Sequence, residues 1–417
     1  MITDSKNELS RNWLILLSAS AGVICSSIVL PFYSIGALVI PITTEMGWSR
    51  AEFQLAILFS TGTGVLTAPI VGWMIDQYGA RLLAISGLFG LSISFVAASF
   101  MNGELWMLYA IYTSIALLGA GTIPVTWTRA VTSLFFRQRG LALGIMLSGT
   151  GVCGMLVPQY TVWLVENFGW RNAYLGLALL PMLGALPLVF FFFHPGAAIS
   201  SDPESIEANN SGFTLRQTTR NYRFWVLLLS ILIVYMAMSG IMPNFIPALV
   251  DQGLSATDAA FAMSFFGAAV IAGRLIVGYL VDRLWAPAVA AVAIGLPVIG
   301  SLMLLGVPTF TTACIAAVLL GFAAGAELDL MSFLAARYFG LKHYSQIYAW
   351  LYAALALASG FAPMLFARIY DVTQSYDIGF AIAAVLFAIG ALMLLLMGRY
   401  PTAFPTSKSC RGTATTD

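Results

Sequence analysis

A polar break between two long apolar runs reads Gly72-Trp73-Met74-Ile75-Asp76-Gln77-Tyr78-Gly79-Ala80-Arg81. The runs on its two sides, residues 51–75 and 82–101, are each long enough to cross a bilayer, which takes about 20 apolar residues. The same alternation continues along the chain, in which 60% of the 417 residues are hydrophobic and only 9% are charged. The sequence therefore predicts an all-α membrane protein with no room for a soluble catalytic domain.

Twelve such runs predict twelve transmembrane helices in two six-helix bundles. The predicted helices cover residues 13–40, 51–75, 82–101, 105–130, 140–165, 171–193, 224–249, 257–281, 286–307, 310–336, 345–368 and 378–398. The longest polar stretch lies in the middle of the chain and separates the two bundles. The predicted domains are an N-terminal bundle over residues 1–194, a cytoplasmic linker over 195–222, a C-terminal bundle over 223–399 and a cytoplasmic tail over 400–417.

The 19 Lys and Arg residues are divided unequally between the two sides of these helices. Fifteen lie on one side, namely Lys6, Arg11, Arg81, Arg129, Arg137, Arg139, Arg216, Arg220, Arg223, Arg283, Arg337, Lys342, Arg399, Lys408 and Arg411. Arg50, Arg171 and Arg368 lie on the other side, and Arg274 falls inside the membrane. Because cytoplasmic loops carry an excess of positive charge, we predict cytoplasmic termini and a location in the inner or plasma membrane.

The two halves of the sequence echo one another. The pair Gly72 and Asp76 recurs as Gly278 and Asp282, an offset of 206 residues, and Pro158 recurs as Pro363 at an offset of 205. An even number of helices in each half predicts parallel repeats around an axis normal to the membrane.

The segment from Gly72 to Arg81 can also be interpreted in physical terms. Asp76 ends a helix at the pole where the helix dipole opposes a negative charge, so it needs a cation such as Arg81. Gly72 permits close helix approach, and Gly79 permits a tight turn. The alternative is an ordinary capped loop that obeys the positive-inside rule. We interpret the segment and its echo as a conformational latch formed by Gly72, Asp76, Gly79, Arg81, Gly278, Asp282 and Arg283.

The segment matches the pattern G-x-x-x-D-x-x-G-x-R, and here the chain resembles the major facilitator superfamily over essentially its whole length. Four further segments resemble the monocarboxylate porter branch and the oxalate/formate-type antiporters. They are Glu45-Met46-Gly47-Trp48-Ser49-Arg50, Arg139-Gly140-Leu141-Ala142-Leu143-Gly144, Gly273-Arg274 with Asp282-Arg283, and Glu327-x-Asp329 before Arg337-Tyr338-Phe339-Gly340-Leu341-Lys342. The resemblance implies a secondary transporter of organic anions.

Two departures limit what the resemblance implies. Animal monocarboxylate porters carry a Lys on helix 1 and an Asp one turn before the helix 8 Arg, whereas this helix 1 has no Lys and Val270 precedes Arg274. Oxalate-type antiporters pair that Arg with a Lys on helix 11, which is absent here. The coupling chemistry and substrate of neither subfamily therefore carry over.

Arg274 is the leading candidate for substrate binding. It lies eight residues before Asp282, or about 12 Å into a hydrocarbon core about 30 Å thick. A cation at that depth costs about 2.5 to 3.5 kcal/mol on insertion scales and nearly always faces a cavity or a partner. A guanidinium beside a cavity can hold a carboxylate through two hydrogen bonds. The alternative is a structural ion pair with Glu327 or Asp329.

Glu327 and Asp329 are the candidates for proton coupling. Two positions apart on a helix, they point about 200° apart and cannot both face the cavity. We assign proton coupling to Glu327 in first place. The alternatives are a structural ion pair and a protonated acid packed between helices.

Six other residues are candidate substrate contacts: Tyr33, Trp127, Arg129, Tyr235, Trp350 and Tyr352. The alternative for the aromatic residues is packing or an interfacial belt, and Arg129 can instead extend to the membrane surface. No metal or cofactor site is predicted, and no nucleotide-binding loop occurs in the sequence.

These features favour a secondary transporter of a small organic anion, in first place a monocarboxylate, coupled to protons across the lipid bilayer. The alternatives are carboxylate exchange, export of amphipathic drugs and a transporter-like sensor. The absence of a basic cluster argues against nucleic acid as a partner. No constellation of nucleophile, metal ligands or paired acids indicates an enzyme.

The charge asymmetry predicts which loops face the cell exterior. A cysteine probe placed in the 251–258 loop should react with a membrane-impermeant reagent added to intact cells, and a probe in the 195–222 linker should not. The reverse labelling pattern would overturn the predicted orientation.

Overall fold

The computed structural model describes residues 8–135, 139–194, 212–340 and 343–401. Part of the predicted linker, most of the predicted tail and the charged residues Lys6, Arg137, Lys342, Lys408 and Arg411 lie outside the described residues. The described chain is almost entirely helical.

The membrane helices are α1 (Trp13–Met46), α2 (Arg50–Tyr78), α3 (Ala80–Ala98), α4 (Leu105–Leu118, continued by Pro124–Leu134), α5 (from Arg139–Leu147 into the first part of Gly149–Leu179), α6 (from the rest of Gly149–Leu179 to Leu186–Phe192), α7 (Tyr222–Asp251), α8 (Ala256–Val281), α9 (Ala286–Met303), α10 (Phe310–Phe339), α11 (Tyr344–Thr373) and α12 (Asp377–Leu395).

Within the described part of the chain, 10 helical spans are long and apolar enough to cross a membrane. One of them, Leu141–Phe192, has 52 residues and contains two crossings, because the backbone leaves the helical region at Gly169 with φ 79° and ψ 164°. The apolar helix Leu105–Leu118 and its continuation supply a further crossing. Together these give the twelve helices and two bundles that the sequence predicts.

Helices α1 and α4 are interrupted, whereas the sequence predicts them to be continuous. Helix α1 consists of Trp13–Ile24 and Val29–Met46, and the second segment contains Pro31 in its first turn. The final segment of α4 begins at Pro124. A proline has no N–H to donate and its ring clashes with the carbonyl four residues earlier, so each helix is interrupted just before its proline.

The two interruptions meet and satisfy each other's backbone groups. Ser27, in the α1 interruption, donates its backbone N–H to Thr122 Oγ1 over 2.9 Å. A backbone amide freed inside a membrane needs such a partner. The close approach depends on Gly119, because a Cβ atom there would lie 2.7 Å from Cβ of Ser27.

The hydrophobic core follows the same division. One large cluster of buried side chains fills the half formed by α7 to α12. The half formed by α1 to α6 has two clusters, one containing Leu16 to Cys25 and the other containing Val29 to Ile42 of α1. The N-terminal core is therefore split at the depth of the helix interruptions.

The interface between the halves consists mainly of α2 packed along α11 and α5 packed along α8. A Cβ atom added at Gly267 of α8 would lie 2.4 Å from the carbonyl oxygen of Gly151 on α5. Glycine therefore lets the two backbones touch near the middle of both helices.

The sealed end, which we define by Arg50, Asp251 and Asp371, holds the halves together. The guanidinium of Arg50 pairs with Asp251, donates to the hydroxyl of Tyr376 over 2.9 Å and lies 3.9 Å from the ring centre of Tyr370. The carboxylate of Asp371 accepts from the backbone N–H groups of Arg50 and Ala51 at the start of α2, over 3.2 and 3.0 Å. A carboxylate at a helix N-terminus also interacts favourably with the helix dipole.

A second polar layer lies one turn deeper at the sealed end. Gln54 of α2 and Asn244 of α7 are completely buried and exchange two amide hydrogen bonds of 2.7 and 3.2 Å. On the α5–α8 side, Thr257 donates to Glu166. These contacts join the two halves at the sealed end.

The halves separate towards the open end, which we define by Gly72, Gly144 and Gly278. Gly144 lies two turns from Gly151 on the same face of α5, and Gly278 lies three turns from Gly267 on the same face of α8. A Cβ atom at Gly72, Gly144 or Gly278 would meet no atom within 4 Å. The expected close approach at Gly72 is therefore wrong for this conformation, because the helices are apart at this end.

The second part of the predicted linker is structured. Phe213 donates its backbone N–H to the carbonyl of Phe339 at the end of α10, over 2.9 Å. The short helix Leu215–Thr219 follows, with a capping box between Thr214 and Gln217. The described end of the linker is thus attached to the C-terminal half.

The contacts of Asp371 predict how the sealed end responds to mutation. Replacing Asp371 with Ala leaves two N–H groups of α2 without an acceptor, so we expect the sealed end to open more often. Spin labels at Asn102→Cys and Val307→Cys, with the native cysteines replaced by serine, should show a longer distance by pulsed electron paramagnetic resonance. As a control, Asp258→Asn removes a carboxylate that binds Ser255 within one half and should leave the distance unchanged. Equal distances in all three proteins would contradict the role of Asp371.

Candidate anion-binding site

Helices α8 and α10 run in the same direction and pack together through glycines on α10. A Cβ atom at Gly321 would lie 2.3 Å from the carbonyl oxygen of Phe266, and one at Gly325 would lie 2.0 Å from that of Val270. Backbones approach this closely only at glycine, and small residues four apart commonly provide such contacts between membrane helices. This packing fixes the register of α8 against α10.

The next pair in this register is Arg274 and Asp329, one turn further along both helices. Nε of Arg274 lies 3.2 Å from Oδ2 of Asp329. The sequence left Glu327 and Asp329 open as partners of Arg274, and the packing selects Asp329. The residue one turn before Arg274 on α8 is Val270, which packs on Gly325 and carries no charge. The counter-charge of Arg274 therefore comes from α10 and not from α8 itself.

The ion pair leaves much of the guanidinium unsatisfied. Arg274 is 7% exposed; its Nε atom is engaged in the ion pair with Asp329, and its buried Nη1 atom has no hydrogen-bond partner among the described residues. The side chain of Asp329 is 40% exposed, so the pair borders accessible space. The Nη1 atom itself is shielded from solvent, so an oxyanion in this space accepts from it only after the guanidinium turns towards the space.

Glu327 faces different surroundings, as its spacing from Asp329 predicts. It is 6% exposed, interacts through a hydrogen bond with Tyr235, and its Oε1 atom has no partner among the described residues. It borders a cavity of about 20 Å³ inside the C-terminal half, lined mainly by apolar side chains such as Leu227 and Leu330. A cavity of that volume holds about one water molecule.

Two tyrosines interact with these charged groups, and two more interact with one of those tyrosines. Tyr33 of α1 interacts electrostatically with Arg274 and Glu327. Tyr235 of α7 does so with the same two groups and with Tyr348 and Tyr352 of α11, whose rings are stacked with their centres 6.5 Å apart. Of the sequence-based candidates, Tyr33 and Tyr235 thus interact with the charged groups, and Tyr352 interacts with Tyr235.

The other three sequence-based candidates lie apart from this group. Trp127 is completely buried inside the N-terminal half, where its indole N–H donates to the carbonyl of Thr122 over 2.8 Å and its ring packs against Phe193. Arg129 is exposed on the last segment of α4. Trp350 is 55% exposed and points about 200° around α11 from Tyr348. We therefore leave these three residues out of the proposed site.

The latch residues lie at the open end. Gly79 has φ 81° and forms the turn between α2 and α3, and Asp282 caps α8. Arg81 donates to the carbonyl of Phe190 on α6 over 2.6 Å, and Arg283 lies 4.0 Å from the ring centre of Tyr279. The side chains of Asp76 and Arg139 are outside what the structure describes.

Comparison with known proteins identifies the family. The sequence model of the Major Facilitator Superfamily matches residues 14–311 and 229–412, which together span nearly the whole chain. The chain belongs to the Major Facilitator Superfamily. This confirms the family that the motif at Gly72 indicates, and it makes the protein a multi-pass membrane transporter and not an enzyme.

Two relatives of this superfamily member are informative. Monocarboxylate transporter 12-B of Danio rerio is 25% identical and covers 80% of this chain and 76% of its own length. The gallate transporter of Pseudomonas putida is 27% identical and covers 67% of this chain and 68% of its own length. These similarities support a secondary transporter in a branch related to the monocarboxylate transporters.

Solved structures agree on the fold. A bacterial homologue of the human lysosomal transporter Spinster, in an inward-facing and occupied conformation, has a TM-score of 0.69 at 17% identity. The match covers 93% of this chain and 96% of that chain. At this identity the likeness shows the major facilitator fold alone.

Sequence reasoning missed the glycines that set the α8–α10 register. The signal was present, because Gly321, Gly325 and Asp329 recur every four residues, as do Phe266, Val270 and Arg274 on α8. It also missed Tyr348, which lies one turn before Tyr352.

The α8–α10 contact predicts a selective sensitivity to small substitutions. Gly325→Ala places a methyl group against the Val270 carbonyl, so we expect a loss of roughly 1–3 kcal/mol of stability from overpacking. Gly295→Ala on α9 is the matched control, since its Cβ atom meets nothing within 4 Å. The melting temperature of the purified protein should fall by several degrees only in Gly325→Ala, and equal melting temperatures would contradict the packing.

Proposed function

We propose that this protein transports a small organic anion, in first place a monocarboxylate, by proton-coupled alternating access. The observation that carries the proposal is the buried guanidinium of Arg274, which pairs with Asp329 and whose Nη1 atom has no hydrogen-bond partner among the described residues. The two relatives are named as a monocarboxylate transporter and a gallate transporter, and both names denote carriers of carboxylate anions.

Arg274 supplies the binding energy for the anion. The interaction between opposite charges is stronger inside the protein than in water, because the local dielectric constant is lower. A carboxylate also has the geometry to accept two N–H bonds from one guanidinium. The guanidinium repels a cationic substrate, and a neutral substrate lacks the charge–charge attraction, so the site favours anions.

Proton coupling follows from the charges around Arg274. Without substrate, Arg274 and Asp329 neutralise each other, and a deeply buried Glu327 with no cationic partner is least costly in its protonated form. A bound carboxylate adds one negative charge, which is costly at this depth. Protonation of Asp329 restores neutrality as the substrate takes over Arg274. We therefore assign the transported proton to Asp329 in preference to Glu327, which the sequence placed first.

Alternating access requires the halves to rock about their contact. The glycine contact between Gly151 and Gly267 lies between the sealed and open ends and suits a pivot, because the two helix backbones touch there. Opening the sealed end breaks the Arg50 and Asp371 contacts. Closing the other end brings together the proposed latch, which comprises Gly72, Asp76, Gly79, Arg81, Gly278, Asp282 and Arg283.

We further propose that the open end faces the cytoplasm at the inner or plasma membrane, and the charge asymmetry supports this orientation. The open end carries the α2–α3 loop with Arg81 and the α8–α9 loop with Arg283. Both termini then face the cytoplasm, and the conformation described above is accessible from that side.

The Arg274–Asp329 pair predicts two separable defects. Arg274→Lys keeps the charge but loses the planar fork, so affinity for carboxylates should fall about tenfold or more. Asp329→Asn cannot release or take up the proton, so uptake driven by a pH gradient should be lost while carboxylate exchange persists. Both are measured in proteoliposomes with acetate, lactate and benzoate, together with a pH-sensitive dye trapped inside.

Two double variants control for a purely structural ion pair. Arg274→Gln combined with Asp329→Asn removes both members of the ion pair and should insert normally, whereas Arg274→Gln combined with Glu327→Gln leaves Asp329 without its cation and serves as the comparison. If Arg274 binds the anion, both double variants remain inactive. Recovery of carboxylate transport in either one would refute direct binding, and intact pH-driven uptake in Asp329→Asn would refute its role as the proton carrier.

A further inference from the structure

We infer that the open end of the C-terminal half carries a binding site for the phosphate headgroup of anionic phospholipids, formed by Arg223, Arg337, Tyr338 and Tyr400. We call these four residues the arginine–tyrosine surface. Three observations support the site: two rings join the two guanidiniums, positive charge is in excess around them, and exposed aromatic side chains lie at the same level. The surface is separate from the central site at Arg274.

The two arginines are connected by a continuous series of ring contacts. The guanidinium carbon of Arg223 lies 5.4 Å from the ring centre of Tyr338, and that ring centre lies 5.2 Å from the ring centre of Tyr400. The guanidinium carbon of Arg337 lies 5.0 Å from the ring centre of Tyr400. Because these contacts are between cations and aromatic rings and use no hydrogen bond, N–H groups of both arginines stay available to an oxyanion.

Neither guanidinium has a competing partner inside the protein. Arg337 is exposed and Arg223 is half-buried, and within the described ranges neither side chain donates a hydrogen bond or forms an ion pair. The Nε atom of Arg223 is buried, so its two terminal nitrogens are the donors left for a ligand. Arginine commonly binds phosphate through paired N–H donors. A phosphate group can therefore bind here without breaking an ion pair.

The two rings are held in place by hydrogen bonds to their neighbours. The hydroxyl of Tyr338 donates to the carbonyl of Gly398 over 2.5 Å, and the hydroxyl of Tyr400 accepts from the backbone N–H of Ala286 over 3.0 Å. A Cβ atom at Gly398 would lie 3.8 Å from Nη2 of Arg223. The surface is thus assembled from α7, α10, the start of α9 and the segment that follows α12.

Positive charge dominates the open end of the C-terminal half. Within residues 212–340 and 343–401, the carboxylate at this end is that of Asp282. The arginines at this end are Arg216, Arg220, Arg223, Arg283, Arg337 and Arg399. Clusters of arginine and lysine immediately beside membrane helices attract anionic lipids. In the proposed orientation this surface faces the cytoplasmic leaflet, whose surface potential is negative.

Exposed aromatic side chains place the surface at the level of the lipid headgroups. Tyr222 and Trp225 at the start of α7, and Tyr279 near the end of α8, are all exposed. Tyrosine and tryptophan concentrate where the hydrocarbon core meets the headgroups. Arg223 is the neighbour of Tyr222, and its guanidinium carbon lies 5.8 Å from the ring centre of Tyr222. The guanidinium is therefore at the depth of lipid phosphates.

An acidic part of the linker is the competing occupant of this surface. Asp202, Glu204 and Glu207 precede the described end of the linker and have the right sign of charge. The lipid is favoured because the surface lies at headgroup level, where a bilayer supplies phosphate groups at high local concentration. Neutralising these three residues separates the two occupants.

The test compares two short-chain lipids with the same acyl chains, the anionic dioctanoyl phosphatidylglycerol and the zwitterionic dioctanoyl phosphatidylcholine. Binding to the purified full-length protein in a neutral detergent is measured by native mass spectrometry and by thermal shift. We expect phosphatidylglycerol to bind at least about tenfold more tightly, because each arginine near a membrane surface contributes about fivefold in affinity for anionic lipid. Glycerol 3-phosphate, which has the phosphate without the chains, should not displace the lipid at equal concentration.

Variants locate the headgroup. Arg223→Gln and Arg337→Gln should each lower the preference for phosphatidylglycerol about fivefold, whereas Arg223→Lys keeps the charge and should retain most of the preference. Arg11→Gln is the matched control, because it removes an exposed arginine from the N-terminal half and should leave the preference unchanged. The ratio of two affinities in one variant is insensitive to a general loss of folded protein.

The outcomes that would overturn the site are distinct. Equal binding of the two lipids, or a preference that persists in both Arg223→Gln and Arg337→Gln, would refute it. Displacement by glycerol 3-phosphate would assign the surface to a soluble phosphate compound instead of a lipid. A preference that appears only when Asp202→Asn, Glu204→Gln and Glu207→Gln are combined would assign the surface to the linker. None of these measurements depends on carboxylate transport, so the proposed function stands or falls separately.

Discussion

The pairing of Arg274 with Asp329 is the interaction on which the rest of this structure depends. A guanidinium near mid-membrane is tolerated only beside a counter-charge or accessible water. Both are present here, because Asp329 lies 3.2 Å away and its side chain is 40% exposed. The geometry exists only because Gly321 and Gly325 let α10 approach the backbone of α8. Two glycines outside the ion pair thus set the position of the charge that is proposed to bind the substrate.

The distribution of polar contacts between the halves suits a protein that changes conformation. At the sealed end the halves are joined by hydrogen bonds and ion pairs, whose groups can exchange their partners for water at modest net cost. Near the middle they are joined by glycine backbones at Gly151 and Gly267. The polar contacts at the sealed end can break and re-form, while the glycine contact near the middle can remain closed as the halves rotate. This distribution of contacts favours a rocking motion of the two halves over a sliding motion.

The two halves contribute differently to the candidate site. The C-terminal half supplies the charged groups from continuous helices, α8 and α10. The N-terminal half supplies Tyr33, two residues beyond Pro31 at the start of the second segment of α1. Since the interruption of α1 precedes this segment, it permits Tyr33 to be directed independently of the first segment. The ring is then fixed against Gly154 and Phe266, which belong to different halves.

Much of the architecture follows from local properties of the sequence. Hydropathy and spacing predict the twelve helices, the depth of Arg274 and the opposed directions of Glu327 and Asp329. These predictions depend on helix geometry and on the free energy of single residues in a membrane. The interruptions of α1 and α4 were missed although Pro31 and Pro124 are visible. Proline alone does not decide them, because Pro41, Pro69 and Pro158 lie inside helices that continue.

Only the tertiary structure decides which residues meet. The sequence could not choose between Glu327 and Asp329 as the partner of Arg274, since both lie at a similar depth on α10. It also could not separate Trp127, which is buried in the N-terminal core, from the tyrosines that interact with the charged groups. Both choices depend on helix rotation and register, which are set by contacts between residues far apart in the chain. The depth of a residue and its periodicity are properties of one helix. The direction in which a side chain faces and the residue with which it pairs are properties of several helices packed together.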